Sequence, residues 1–166
     1  MGDNIPRRSP PKLHPGGRNA IVAPSGASTG VFPEIHDIIS AVLIKDQKIL
    51  LCLRTKERDW FPGVWDFPGG HVGPGETAPA ALVREIGEEL AIVIGEPIGG
   101  PDHRISTGEF NMKLWIVEKN WEGDPVNAAP IEHETIGWFT EGETQTLKLA
   151  HERYPEIIEE ALHRTL

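Results

Sequence analysis

Apolar and polar positions alternate along this chain in two different rhythms. Ile38–Ile44 and Lys48–Arg54 are apolar, β-branched runs split by Lys45-Asp46-Gln47, a pattern that predicts a β-hairpin. A polar stretch with a Pro-Gly break follows, and Trp65-Asp66-Phe67 reads as a short strand. Then the period changes. Leu82, Val83, Ile86 and Leu90 recur at helical spacing, Thr77 can cap, and Pro79 fits a first turn that needs no amide proton, so a helix is predicted over about 78–90. Downstream come Ile92–Ile94, a Gly/Pro turn over 95–101, and the run Phe110–Glu118, whose Leu114-Trp115-Ile116-Val117 suits a sheet interior. Trp121-Glu122-Gly123-Asp124-Pro125 has turn chemistry, and Glu132–Phe139 pairs a polar lead with a short aromatic strand. Pro155 opens a last helix with Ile157, Ile158, Ala161 and Leu162 at apolar spacing. Strands on both sides of two helices predict an α/β (α+β) chain, a mixed β-sheet in an α/β/α sandwich.

The first 35 residues do not share this rhythm. Proline, glycine, serine and basic residues dominate them, and such a composition buries too little surface to offset the entropy of ordering, so residues 1–35 are expected to form a flexible arm and 36–166 the folded domain. Arg7, Arg8, Lys12 and Arg18 make the arm locally basic. The whole chain, 166 residues with 39% hydrophobic content, is long enough for one domain with a core. Its net charge of −9 argues against a nucleic acid polymer or a membrane surface as standing partner. The one cysteine, Cys52, lies in an apolar run and reads as core. With no apolar signal segment and no run long enough for a membrane helix, the expected compartment is cytoplasmic, the expected state a monomer or homodimer.

Chemistry is concentrated on the helix at 78–90. On a wheel of about 100° per residue, Glu88 and Glu89 fall on either side of Glu85, beside the greasy face formed by Leu82, Val83, Ile86 and Leu90. Like charges at this spacing repel, and they sit toward the C-terminal end of the helix, where its dipole disfavours anions. A divalent cation would remove that cost, and carboxylate oxygens suit Mg²⁺ or Mn²⁺, which also accept substrate phosphate oxygens. A small polyanion such as a nucleotide would need such a cation to approach a protein of this charge.

The spacing around that helix is specific. Gly70, five residues, Glu76, seven residues, then Arg84-Glu85-Ile86-Gly87-Glu88-Glu89-Leu90-Ala91-Ile92 resembles the Nudix box of the Nudix hydrolases at every defined position but Ala91, where the family has glycine. The segment before it, Trp65-Asp66-Phe67-Pro68-Gly69-Gly70, is similar to the Trp-x-Phe-Pro-Gly-Gly that often leads into the box. The resemblance implies the Nudix sandwich and Mg²⁺- or Mn²⁺-assisted hydrolysis of a phosphoanhydride in a nucleoside diphosphate derivative. It also implies site residues. Glu85, Glu88, Glu89 and the Gly69 carbonyl correspond to metal ligands, Arg84 to the arginine that holds the box carboxylates, and Glu76 to a brace between loop and helix. Glu132, six residues before Trp138, is the leading candidate for a further metal ligand or general base, with Glu134 as its competitor. Glu88, Glu132, Arg84 and Glu85 thus form the expected catalytic set.

Substrate recognition is less sharply written. Trp121-Glu122-Gly123-Asp124-Pro125 resembles a turn of the MutT-type nucleoside triphosphate pyrophosphohydrolases, which favours NTP or dNTP cleavage to a monophosphate and pyrophosphate. The alternatives are another nucleoside diphosphate derivative, such as a sugar nucleotide or ADP-ribose, and a non-catalytic ligand-binding domain. His151 stands where those enzymes carry a base-reading asparagine. Arg54, at the end of the second strand, is a candidate for phosphate or base, and Phe110, Trp115 and Trp60 are candidates for stacking, with core packing as their competing role. His36, His71, His103 and His133 have no metal-ligand spacing.

Overall fold

The computed structural model describes residues 34–118 and 121–164. The predicted arm lies outside the described residues except for its last two positions. The hairpin forms as expected: β1 (His36–Lys45) and β2 (Lys48–Arg54) pair antiparallel through a two-residue turn in which Asp46 and Gln47 both take positive φ, 50° and 57°. That geometry matches the right-handed twist of the flanking strands, and short polar residues tolerate it.

β1 is the spine of the sheet. It pairs parallel with β7 (Phe110–Glu118) from His36↔Phe110 to Ile44↔Glu118, and antiparallel with the short β4 (Gly69–His71). Outward from β2 lie β3 (Trp65–Asp66) and β9 (His133–Phe139); outward from β7 lies β6 (His103–Ser106). A separate two-stranded ribbon joins β5 (Val93–Ile94) to β8 (Trp121–Glu122).

Alternation on the central strands explains the layers. Ile39, Ala41, Leu43, Leu50 and Cys52 face α1 (Ala78–Leu90) and meet its Ala81, Leu82, Ile86 and Leu90. Val42, Ile44, Ile49 and Leu51 face the other way, onto α3 (Tyr154–Arg164), through Tyr154, Ile157, Ile158, Ala161 and Leu162. This is the α/β/α sandwich with a mixed sheet that the pattern predicts. The four-residue α2 (Glu141–Thr144), closed at its start by a Thr140–Glu143 capping box, leads from β9 toward α3.

Three elements depart from the sequence expectation. β6 offers one buried apolar residue, Ile105, too little for a periodic signal, and borrows its stability from pairing with β7. β4 is two glycines and a histidine, a poor strand by propensity, yet it is held between β1 and α1. α2 is too short to show helical periodicity. Trp115, a candidate for stacking, is buried between sheet and α1 and belongs to the core.

Candidate active site

The site begins where α1 crosses β4. Thr77 caps the helix by accepting from the Ala80 N–H at 3.3 Å, Pro79 sits in the first turn, and the apolar stripe fixes the rotation, turning Glu85 and Glu89 toward β4. Only glycine fits the strand they meet. A Cβ at Gly70 would land on the Glu85 carboxyl group, within 2.6 Å of both oxygens, and one at Gly69, whose φ is 153°, would run into the Ile39 carbonyl and, at 2.7 Å, the Ser40 Cα.

The three box glutamates are held differently. Glu89 is buried; its Oε2 accepts the Gly69 N–H at 2.9 Å, and its Oε1 lies 3.8 Å from His133 Nε2. Burial pushes its carboxyl well above the usual carboxylate range, against the Gly69 hydrogen bond, and the charges of Glu85 and Glu132 push it further. Burial raises Glu85 too, opposed by Arg84. Glu88 is the exposed member, its side chain 60% accessible.

Arg84 ties this group together. Its Nε and Nη2 form a bidentate pair with Glu76 at 2.9 and 3.0 Å, Nη1 reaches Glu85 at 2.7 Å and Glu88 at 3.3 Å, and Nη2 also donates to the His71 carbonyl at 3.1 Å. Glu76 in turn accepts the Gly73 N–H at 3.0 Å, and its hydrogen bonds to Arg84 lower its pKa. Loop and helix are therefore braced by one guanidinium. The helix exit is also covered: Ala91 takes the left-handed conformation (φ 55°, ψ 32°) and donates to Gly87 O, while Val126 and Ala128 N–H groups satisfy the Leu90 and Glu89 carbonyls at 3.0 and 2.9 Å. Alanine thus makes the turn the box assigns to glycine.

Beside β4 opens a cavity of about 630 Å³. Gly69, Gly70, Glu85 and Glu132 are part of its lining. Glu132 is 3.3 Å from Arg58, on the loop after β2, and its charge adds to the elevation of Glu85 and Glu89. Glu134 is exposed and does not line this cavity. Phe110 and His151 line the walls together with Phe61 and Trp60; the Phe61 and Phe110 rings meet edge-on at 6.2 Å. Arg54 is also there, but its Nε and Nη2 are spent on the Trp60 and Phe61 carbonyls at 2.7 to 3.1 Å, and Nη1 reaches toward Asp66 at 3.5 Å. It shapes the loop that walls the cavity.

Among the described residues no three His, Cys, Asp or Glu side chains converge on one point as a preformed metal cage. The donor set fits a hard divalent cation all the same. Among the described residues Glu85 Oε2 and Glu88 Oε1 carry no hydrogen bond, and Glu89 Oε1 has only the long His133 contact. Arg84 takes the other oxygen of Glu85 and of Glu88, and so aims both carboxylates rather than consuming them.

Two residues of this region escaped the sequence reading. Asp66, the unspecified position in Trp65-Asp66-Phe67-Pro68, lines the cavity with its side chain 13% exposed, and Tyr154 Oη donates to it at 2.7 Å and its own neighbour Phe67 N–H at 2.9 Å. His133, with no ligand spacing in the sequence, packs against Glu89; burial lowers its pKa to about 4. Neither leaves a local signal, since each acquires its partner only when distant segments meet.

A carboxylate-lined helix set on a two-glycine strand beside a cavity, within an α/β/α sandwich, defines a hydrolase of the Nudix class. The NUDIX domain family model matches residues 34–161, and the chain belongs to that family. It is 32% identical over 116 residues, 69% of this chain and 82% of the relative, to the CTP pyrophosphohydrolase of Escherichia coli. Over 53 residues, 32% of this chain and 38% of the relative, it is 45% identical to the nucleoside triphosphatase NudI of Escherichia coli. A MutT NUDIX hydrolase from Burkholderia pseudomallei superposes with a TM-score of 0.65 at 26% identity, covering 80% of this chain and 99% of that one. No helix among the described residues is long and apolar enough to cross a membrane.

Proposed function

We propose that this Nudix hydrolase is a nucleoside triphosphate pyrophosphohydrolase that uses Mg²⁺ or Mn²⁺ and releases a nucleoside monophosphate and pyrophosphate. The observation that carries this reading is that Glu85 and Gly69–Gly70 line the same cavity as the rings of Trp60, Phe61 and Phe110. Phosphates belong beside the carboxylate, and the base beside the rings. The triphosphate-cleaving relatives support the same substrate class.

Each residue then has a task. Glu85, Glu88 and Glu89, with the Gly69 carbonyl, hold the cation, which when bound lowers the pKa of water and neutralises charge on the leaving phosphate. Arg84 positions Glu85 and Glu88. Glu132, which lines the same cavity, orients the attacking water or completes the ligand set, and Arg58 holds it there. Phe110 and His151 contact the base, while Arg54 fixes the loop beside it.

The test is a nucleotide panel with Mg²⁺, scored for products. Pyrophosphate plus a monophosphate from triphosphates, lost in Glu88→Gln, is the expected result. Cleavage of sugar nucleotides with triphosphates untouched would overturn the substrate assignment, and indifference to Glu88→Gln would overturn the site.

A further inference from the structure

Two loops meet at Glu132, and one arginine ties them by a contact that is easily traded. Thr55, just after β2, pins the backbone ahead of β9: its N–H donates to the Glu132 carbonyl at 2.9 Å and its hydroxyl to the Ile131 carbonyl at 3.2 Å. The peptide of Glu132 is therefore fixed, while its side chain is 42% exposed. Arg58, whose N–H closes a turn onto the Thr55 carbonyl at 3.4 Å, reaches back to that side chain, Nη1 to Oε2 at 3.3 Å. Among the described residues this is the only ion pair of Arg58, although Glu57 and Asp59 flank it in sequence. Arg54, the other arginine of the cavity lining, has Nε and Nη2 bound to loop carbonyls. Arg58 is not committed in that way.

An ion pair between two partly exposed side chains contributes little to stability, so exchanging it costs little. Glu132 also gains from an exchange. Its charge adds to the upward shift of Glu85 and Glu89, whose main cause is burial, and a divalent cation shared among these carboxylates relieves that repulsion better than a guanidinium paired with Glu132 alone. Resting on the nucleotide reading above, we propose that Arg58 is a phosphate-binding residue held in reserve: in the unloaded protein it neutralises Glu132, and when Glu132 turns to the cation the guanidinium is released to the phosphate chain of the substrate. A planar fork of N–H donors matches two phosphate oxygens at once. Its place agrees: Arg58 lines the cavity together with Gly69, Gly70 and Glu85, and, after burial and His36, its charge contributes to the lowered pKa of His71 on β4.

The experiment separates two affinities that the pair sets in opposite directions, and neither needs turnover. Mn²⁺ is titrated into nucleotide-free protein, and inorganic pyrophosphate into protein saturated with Mg²⁺, both followed by calorimetry. Arg58→Ala should bind Mn²⁺ about twofold to fivefold more tightly, because Glu132 no longer has a partner to give up. The same variant should bind pyrophosphate about tenfold more weakly or worse, and KM for triphosphates should rise with it. Arg58→Lys, which keeps the charge and loses the fork, should fall between wild type and the alanine variant for pyrophosphate. In a Glu132→Gln background the gain in Mn²⁺ affinity should vanish. Loss of both affinities in Arg58→Ala would make the arginine a mere support for Glu132, and no change in either would make the pair a plain surface contact. Each of these results overturns the inference while leaving the pyrophosphohydrolase intact. Triphosphates left uncleaved by wild type would instead remove the reading on which it rests.

Discussion

The carboxylates around α1 and the one on β3 are held in different ways. Around α1, Glu76, Glu85 and Glu88 gather on one partly exposed guanidinium, and among the described residues Glu85 and Glu88 each keep an oxygen without a hydrogen bond. On β3, Asp66 is held by Tyr154, Arg54 and the Phe67 amide. The α1 group includes Glu88, whose side chain is 60% exposed, so water compensates a lost partner there. Asp66, 13% exposed, has little solvent to replace one. Glu89 lies on α1 yet is buried, anchored by the Gly69 amide.

This contrast can be broken in order of expected effect. Replacing Glu88 by glutamine removes a charged ligand candidate from α1 and should lower kcat/KM by about a hundredfold to a thousandfold, with the thermal melt almost unmoved since the side chain is exposed. A large loss of stability with activity retained would make Glu88 a structural residue instead.

The next effect concerns the buried side. His133 has a folded pKa of about 4, below the roughly 6.5 of an unfolded histidine. Between those values the unfolded chain binds more protons, so the contribution of His133 is complete above the unfolded value and is lost as pH falls toward 4. Denaturant titrations from pH 7.5 to 4.5 should show wild type losing up to about 3 kcal/mol more than His133→Gln. Glu89, whose pKa is shifted upward by burial, works in the other direction and lies 3.8 Å from His133, so a cycle with Glu89→Gln and the double variant separates the two contributions.

A smaller change is expected for Arg84→Gln. Glu85 and Glu88 lose the group that aims them, and the metal concentration for half-maximal activity should rise about tenfold to a hundredfold. Unchanged metal dependence would mean that the arginine only braces the loop through Glu76. Least of all, Ala91→Gly should stabilise the fold by about 1 kcal/mol in denaturant titration, because the left-handed conformation is strained for alanine and free for glycine.

Much of α1 was legible in the sequence, and little of the cavity. Helix α1 and its carboxylates repeat every three or four residues, so their shared face follows from periodicity, and Thr77 and Pro79 mark where it starts. The hairpin was equally local. The cavity is not: its lining runs from His36 to Tyr154, and Asp66 meets Tyr154 across 88 residues. Nothing near Asp66 in the chain distinguishes it from a solvated strand residue. Arg54 illustrates the same limit in reverse. An arginine at a strand end reads as free to meet a ligand, whereas the fold ties its Nε and Nη2 to two loop carbonyls. Even β4, the strand on which α1 rests, is legible only as a turn-like Gly-Gly, because its stability comes from its neighbours.

The parallel pairing of β1 with β7 also sets a schedule for synthesis. The hairpin and α1 can form as they emerge, but the spine of the sheet stays unpaired along one side until Phe110–Glu118 has left the ribosome. Non-local closure of this kind is slow, and the waiting edge, Ile38 through Leu43, is an apolar template for intermolecular association. Chains halted before β7 should therefore aggregate or recruit chaperones, although every box residue has already been made.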